Sequence, residues 1–497
     1  MGGVPNIDPS KKHAPSHLGR VLVLGLGKSG KAATTYLAGL VGSRVESVTV
    51  AAGDKTDDAC SFAEAVQAEG VRVLFDHREI EEAYDLCIAS PGISQFSDFY
   101  RSAAAASGEI ISEVELAWRE SPAGSRWVAV TGTNGKTTTT ALVAHVLRCA
   151  GVAAKAVGNI GDTCLEAVAE GGVSVFVAET SSYQLASTTL FAPDVAVVLN
   201  ITPDHLAWHR SFENYRDAKF KVLANLGRRD GSFAVFDATD AVVREEVKRV
   251  RALGVERGYS YMPIGTKAGL AGNMREACGS ENAAYLDGDT LTVDFGGSVE
   301  ALVSISELQL KGIHNASNAL AAASAALALG VDARDVREGL RSFAPLEHRI
   351  EPCGNIGGVA LFNDSKATNV DATLHALDAF GSVKPIVLLG GDDKGTDLAP
   401  LVEAAHAHAG AVVCFGDAGE RLAAAFEAAD AQAPAGFAAA RAAHLADAFD
   451  AALALASAGD VVLLSPACAS FDEFGSFEER GAAFKTLVAD AASALGA

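Results

Sequence analysis

A chain of 497 residues is too long for one hydrophobic core, so about two to four domains are expected. Hydrophobic residues make up 49% and charged residues 21%, an ordinary globular composition, but the formal charge of −22 argues against nucleic acid or an anionic membrane as the main partner. The eight cysteines are scattered with no C-x-x-C pair, as expected of small buried residues in a reducing compartment rather than a disulfide framework or a zinc site.

The N-terminus, "MGGVPNIDPSKKHAPSHLGR", has no apolar core of signal-peptide length, and residues 1–17 are expected to form a flexible tail. No stretch stays apolar for about 18 residues, so the expected setting is the cytoplasm, without membrane contact. From Arg20, "RVLVLGLGKSGKAATTYLAGL" reads as strand, glycine turn and helix, the opening of a βαβ unit. Gly25, Gly27 and Gly30 fit G-x-G-x-x-G, but the acidic residue expected about 20 residues on has only Asp54 as a candidate. A dinucleotide is therefore not secured, and another phosphate-bearing ligand is equally open. Strands are expected at "SVTV", "VRVLF" and "DLCIASPG", and "RESPAGS" near Pro122 reads as a linker.

The second segment holds "VAVTGTNGKTTTT", Val128–Thr140. A full P-loop needs glycine where Val130 stands, leaving Gly132-x-x-Gly135-Lys136-Thr137 between a strand and a helix. In that context backbone N–H groups and the helix N-terminus cradle phosphate oxygens, Lys136 reaches the β- and γ-phosphates, and the Thr137 hydroxyl suits Mg²⁺. Glu179 follows the strand "VSVFVA", well placed for a metal. His205 ends the next strand, in "NITPDHL"; spacing leaves it open between a metal ligand and a capping or core histidine. Lys219 falls on a helix, where lysines are usually solvated. "AAYLDGDTLTVDFG" reads as a hairpin turning at "DGD".

A linker near Pro345, "FAPLEHR", opens the third segment. "NDSKATN", "GGDDKG" and "SPACASFDEFGSF" each follow an apolar strand, where open parallel sheets bind ligands. Their lysines and hydroxyls suit a carboxylate-bearing anion. The alanine-rich stretch over 400–457 reads as packed amphipathic helices.

Together "TGTNGKTT", "GNIG" at 158–161, "ETSSYQL", "NITPDHL", "YRDAK", "GIHNASNAL", "HRIE", "NDSKATN", "GGDDKG" and "SPACASFDEF" resemble the Mur ligase family, in the family's order. The shortened P-loop is that family's T-G-T-N-G-K-[ST] form. "NDSKATN" with "SPACASFDEF" points to the branch that adds D-glutamate. The resemblance implies an α/β chain of three domains. A Rossmann-like domain over 18–122 binds a uridine nucleotide, a P-loop ATPase-like domain with a mostly parallel sheet over 123–345 binds ATP, and a Rossmann-like domain over 346–497 brings the amino acid. The implied reaction joins D-glutamate to UDP-N-acetylmuramoyl-L-alanine (UDP-MurNAc-L-alanine) with ATP in peptidoglycan precursor synthesis, carried out by a monomer. A sister Mur ligase or a folylpolyglutamate-type ligase is the alternative.

Carried over by residue, the resemblance assigns Gly132, Thr133, Asn134, Gly135, Lys136, Thr137 and Thr138 to ATP, with His314, Asn315, Asn318, Arg349 and Asp364. Lys136, Glu179, His205 and Lys219 form the catalytic set. Thr137, Glu179 and His205 are implied Mg²⁺ ligands, and Lys219, carbamylated, supplies oxygen to a second Mg²⁺. Lys28, Ser29, Ser90 and Asn159 match positions for the uridine-nucleotide substrate, and Lys366, Thr368, Lys394, Ser470 and Phe477 those for D-glutamate. The family's Asp-Thr-Arg at a strand end is replaced here near "AAGD".

Overall fold

The structure is a computed structural model that describes residues 6–77, 79–266, 270, 273–310, 312–392, 395–429, 433–434 and 436–495. Among them, three sheets organise the chain. The first is wholly parallel, with β1 (Gly19–Leu24), β2 (Val45–Ala51), β3 (Arg72–Leu74), β4 (Tyr84–Ala89) and β5 (Ser107–Ser112) in the order β3-β2-β1-β4-β5. Strand order reverses at β1, which places a ligand crevice beyond the end of that strand.

The second sheet comprises β6 (Arg126–Thr131), β7 (Ala154–Gly158), β8 (Val175–Glu179), β9 (Val195–Val198), β10 (Phe233–Asp237), β11 (Ser260–Gly265), β12 (Ala283–Asp287), β13 (Thr290–Phe295) and β14 (Ser298–Ser304). Its order is β14-β13-β12-β11-β10-β9-β6-β8-β7, and only β12–β13 and β13–β14 pair antiparallel. The expected hairpin is present, with Asp287 opposite Thr290. A second hairpin follows at Gly296-Gly297, both at positive φ, the backbone a tight two-residue turn needs. The segments 127–130 and 175–178 are apolar and buried throughout because β6 and β8 are covered on both faces. Trp127 stacks on Phe176 with ring centroids 4.8 Å apart and meets Phe191 edge-on. Burying one such side chain stabilises the fold by about 1.5–3 kcal/mol.

Contacts divide the chain into two compact units. Residues 1–308 and 316–343 form one, in which the first two sheets share a continuous apolar core; residues 309–315 and 344–497 form the other. The second unit holds β15 (Glu351–Ile356), β16 (Val359–Asn363), β17 (Ile386–Gly390), β18 (Ala411–Phe415), β19 (Ala438–Arg441) and β20 (Val461–Ala467). Their order is β15-β16-β20-β17-β18-β19, with only β15 antiparallel to its neighbour. The loops after β16, β20 and β17 thus leave one edge of the sheet side by side.

Two expectations are corrected. Residues 6–17 are not a flexible tail. Lys12 N–H donates to the Ser121 carbonyl at 2.8 Å, His13 N–H to that of Arg119 at 3.0 Å, and Arg44 reaches the Pro15 carbonyl at 2.6 Å, while Ala14 is fully buried. Backbone pairing holds a segment whose side chains read as solvated. Within the alanine-rich stretch, Ala399–His408, Gly419–Ala428 and Leu445–Leu455 are helices, but Ala438–Arg441 is a strand pairing with β18, whose open edge outweighs alanine's helix propensity. Among the described residues no helix is long and apolar enough to cross a membrane.

Candidate active site

The turn after β6 requires its glycines. Gly135 has φ 80°, and a methyl group there would stand 2.4 Å from Asn318 Oδ1. The helix Lys136–Cys149 starts at once, so the N–H groups of its first turn, which have no carbonyl of the same helix to donate to, face the turn, with Thr137 and Thr138 among them. The turn is tied to the segment after β9. The Asn200 carbonyl accepts from Thr133 N–H at 2.7 Å, and Asn200 Oδ1 accepts from Asn134 N–H at 2.7 Å. Thr133 Oγ1 lies 2.8 Å from the Tyr215 hydroxyl, and Asn318 Oδ1 accepts from Thr139 Oγ1 at 3.2 Å. Asn200 and Tyr215 were not singled out from the sequence, although both stand inside quoted motifs; their partners lie 66 and 82 residues away in the chain.

Two lysines converge on one carbonyl. Lys136 Nζ donates to Gly132 O at 2.9 Å and Thr133 O at 2.7 Å; Lys219 Nζ donates to the same Gly132 O at 2.6 Å. Lys219 does lie on a helix, Phe212–Phe220, but is 2% exposed, not solvated, with its ammonium 4.7 Å from the Tyr215 ring centroid. Burial pushes its pKa well below the lysine range and Lys136 adds to the shift, against the opposing pull of Asp204 and Glu179. The fold therefore disfavours the charged form of this lysine.

Glu179 closes β8, beside β6. Its Oε1 accepts from Asn159 Nδ2 at 2.9 Å, while its Oε2 is buried without a hydrogen-bond partner. An acceptor left so costs about 1–3 kcal/mol, and a cation would satisfy it. With the Thr137 hydroxyl it offers the hard oxygen donors that Mg²⁺ prefers. His205 is corrected in place: β9 ends at Val198, and His205 stands in the following loop at φ 54°, capping Leu206–His209. Its Nε2 is 3.4 Å from Asp204 Oδ2 and its ring 4.9 Å from that of Tyr183. Among the described residues no group of three or more His, Cys, Asp or Glu is disposed to hold a metal.

In the first sheet, a methyl on Gly30 would stand 2.0 Å from the Gly25 carbonyl and 2.8 Å from Ser90 Oγ. That glycine lets the helix Lys28–Ala38 approach β1 closely, with Ser29 in its first turn. Lys28 donates from its ammonium to the Gly161 carbonyl, so it reaches the "GNIG" turn that carries Asn159. Asp54 is exposed.

In the second unit, Asp364 is buried at the end of β16, its Oδ2 accepting from Ser465 Oγ at 2.8 Å. Burial pushes its pKa up to about 7, and Arg349 opposes the shift. Arg349 stands between His348 (φ 60°) and Ile350 (φ 46°), a strained segment. His314, whose ring is 5.5 Å from that of His375, is held down to about 3 by burial, His375 and Arg349; Asn315 follows it. Lys366 Nζ lies 3.6 Å from the Phe477 ring centroid, Thr368 N–H donates to the Lys366 carbonyl at 2.9 Å, and Ser470 is buried. Lys394 lies outside the described residues.

One residue here carries no signal in the sequence. Arg480 is fully buried and donates to Ser365 Oγ (3.0 Å), the Ser365 carbonyl (2.9 Å), the Cys468 carbonyl (3.1 Å) and the Ala469 carbonyl (2.9 Å). It ties the loop after β16 to the loop after β20. A methyl on Gly391, in the loop after β17, would stand 2.9 Å from its Nη1.

Comparison with known proteins places the chain by family and fold. Residues 130–326 match the Mur ligase middle domain and 348–468 the glutamate ligase domain of Mur ligases. A UDP-N-acetylmuramoylalanine–D-glutamate ligase of Thermoanaerobacter pseudethanolicus is 35% identical over 95% of this chain and 98% of its own. One from Streptococcus mutans is 37% identical over 94% and 96%. Among solved structures, a UDP-N-acetylmuramate–alanine ligase from Thermotoga maritima has a TM-score of 0.55 at 19% identity, covering 95% of this chain and all of that one. A pseudomurein peptide ligase from Methanothermus fervidus also has a TM-score of 0.55, at 17% identity over 95% of this chain and 99% of that one.

Proposed function

The chain belongs to the Mur ligase family, and from that premise we propose that it uses ATP to join D-glutamate to UDP-MurNAc-L-alanine in cytoplasmic peptidoglycan precursor synthesis, working as a monomer. One observation carries the reading. The phosphate-type turn after β6, the buried Glu179 carboxylate and the buried Lys219 meet in one site, in a chain that aligns with D-glutamate ligases over 95% of its length.

A carboxylate is a poor electrophile. Its oxygen bonds to the γ-phosphorus of ATP as the bond to the ADP oxygen breaks, which leaves an acyl phosphate. The neutral amine of D-glutamate then attacks the acyl carbon. The tetrahedral intermediate loses phosphate and the amine's proton is released, leaving an amide. Both steps depend on positioning and charge neutralisation. Lys136 and the N–H groups of the turn hold phosphate oxygens, and Asn318 supports the turn. His314, Asn315, Arg349 and Asp364 are the second unit's candidates for the nucleotide; Lys366, Thr368, Ser470 and Phe477, with Lys394, are those for D-glutamate. Lys28, Ser29, Ser90 and Asn159 serve the uridine nucleotide.

Mg²⁺ at Thr137, Glu179 and His205 would neutralise phosphate charge. The depressed pKa of Lys219 supports its carbamylation: the neutral amine adds to the carbon of CO₂ and loses a proton, giving a carboxylate that suits a second Mg²⁺. Lys136→Ala is expected to lower turnover about 10²–10³-fold, the usual cost of one preorganised charge-stabilising group. ADP release with both substrates present measures it; near-normal release would contradict the assignment.

A further inference from the structure

Glu113 opens the helix Glu113–Glu120, directly after β5 of the first sheet. It is a carboxylic acid at 1% exposure. Its Oε1 accepts from Leu165 N–H at 2.6 Å, and its Oε2 is buried without a hydrogen-bond partner. An apolar side chain would pack there without that penalty.

Leu165 lies in the first turn of the helix Cys164–Glu170, which Thr163 and Glu166 cap reciprocally. The chain enters this helix from the turn that carries Asn159. That turn is closed by Gly158 N–H donating to the Asp162 carbonyl at 2.9 Å, and Asn159 ties it to Glu179 through both its backbone and its side chain. Lys28 grips the same turn at Gly161. The helices Lys28–Ala38, Glu113–Glu120 and Cys164–Glu170 pack on one another within one compact unit. Burial raises the Glu113 pKa to about 7; the Leu165 amide opposes the shift most, Glu166 adds to it, and the Cys164 amide and Lys28 oppose it further.

We infer that Glu113 is a positioning residue: through Leu165 N–H it fixes the Asn159 turn of the second sheet against the first, so that the nucleotide-sugar substrate meets Asn159 in register with Glu179. This rests on Asn159 as a substrate contact.

The test uses the full chain and two near-isosteric variants. Glu113→Gln keeps an acceptor at the same reach for Leu165 N–H, whereas Glu113→Asp keeps the charge but withdraws it by one methylene. The KM for UDP-MurNAc-L-alanine is expected to stay within about twofold of wild type for E113Q and to rise about five- to tenfold for E113D, with the KM for ATP unchanged in both, the range set by one lost hydrogen bond. A merely structural role would lower the melting temperature without separating these two constants. A wild-type KM in E113D, or equal impairment of both variants, overturns the inference. Asn159→Ala is the control. If it raises the same KM while E113D does not, the role of Glu113 alone fails. If it leaves that KM unchanged, the substrate contact fails, and with it the target that Glu113 positions.

Discussion

At Lys219 the fold takes a residue that is charged on almost any surface and gives it an interior that disfavours the charge. The cause is burial on the inner side of the helix Phe212–Phe220, with Lys136 nearby. The sequence shows a helical lysine but not which face it occupies, because that depends on Gly132, 87 residues earlier. Under the proposed carbamylation, Lys219→Ala is expected to lose most turnover and to regain part of it with added acetate or formate, which would supply a carboxylate in the carbamate's place. A variant that stays inactive with either ion counts against carbamylation.

Asp364 makes the opposite case, an acid whose folded-state pKa of about 7 stands above its ordinary 3.8 because it is buried. The folded chain therefore holds that proton more tightly than the unfolded chain. The stability it contributes is complete below about pH 4 and is lost as pH rises through 7. Asp364→Asn mimics the protonated form, so it should gain stability relative to wild type between pH 4 and pH 8, by on the order of 3 kcal/mol. Urea unfolding of both proteins at the two pH values checks it; an equal difference at both would contradict the buried-acid account.

Elements that recur locally were legible in the sequence, and those built by distant pairing were not. The strand, glycine turn and helix over 128–140 follow from a short apolar run and two glycines. The three loops of the second unit were likewise readable as the ends of parallel strands. Their common support was not. Arg480 sits on the helix Phe477–Leu495 among Glu478 and Glu479, where it reads as a solvated surface residue. Its partner Ser365 is 115 residues away. Arg480→Met removes the guanidinium donor from the Ser365 and Cys468 carbonyls, while the Ala469 carbonyl keeps Asp392 N–H at 2.9 Å. It is expected to destabilise the chain by about 3 kcal/mol and to raise the KM for D-glutamate more than that for ATP. Equal effects on both constants would reduce Arg480 to a general packing role. The strand Ala438–Arg441 was hidden by composition for a related reason, since β18, not the alanines, decides its state.

At the scale of the whole molecule, three sheets divide the work while contacts join the first two into one unit, so composition near Pro122 marks a change of sheet more than a change of body. Residues 6–17 strengthen that union by pairing with the backbone around Arg119 and Ser121. The motifs that carry the family are spread over both units, from "GNIG" to "SPACASFDEF". A nucleotide switch or a scaffold on the same phosphate turn would hydrolyse ATP at a rate indifferent to amino acids. A ligase couples phosphate release to the presence of both acceptor and amine. The most direct test is phosphate release from ATP with UDP-MurNAc-L-alanine present, comparing D-glutamate, L-glutamate and no amino acid. Release is expected to depend on both substrates and to be supported by D-glutamate but not by L-glutamate. Release independent of amino acid, or equal with the two enantiomers, would contradict it.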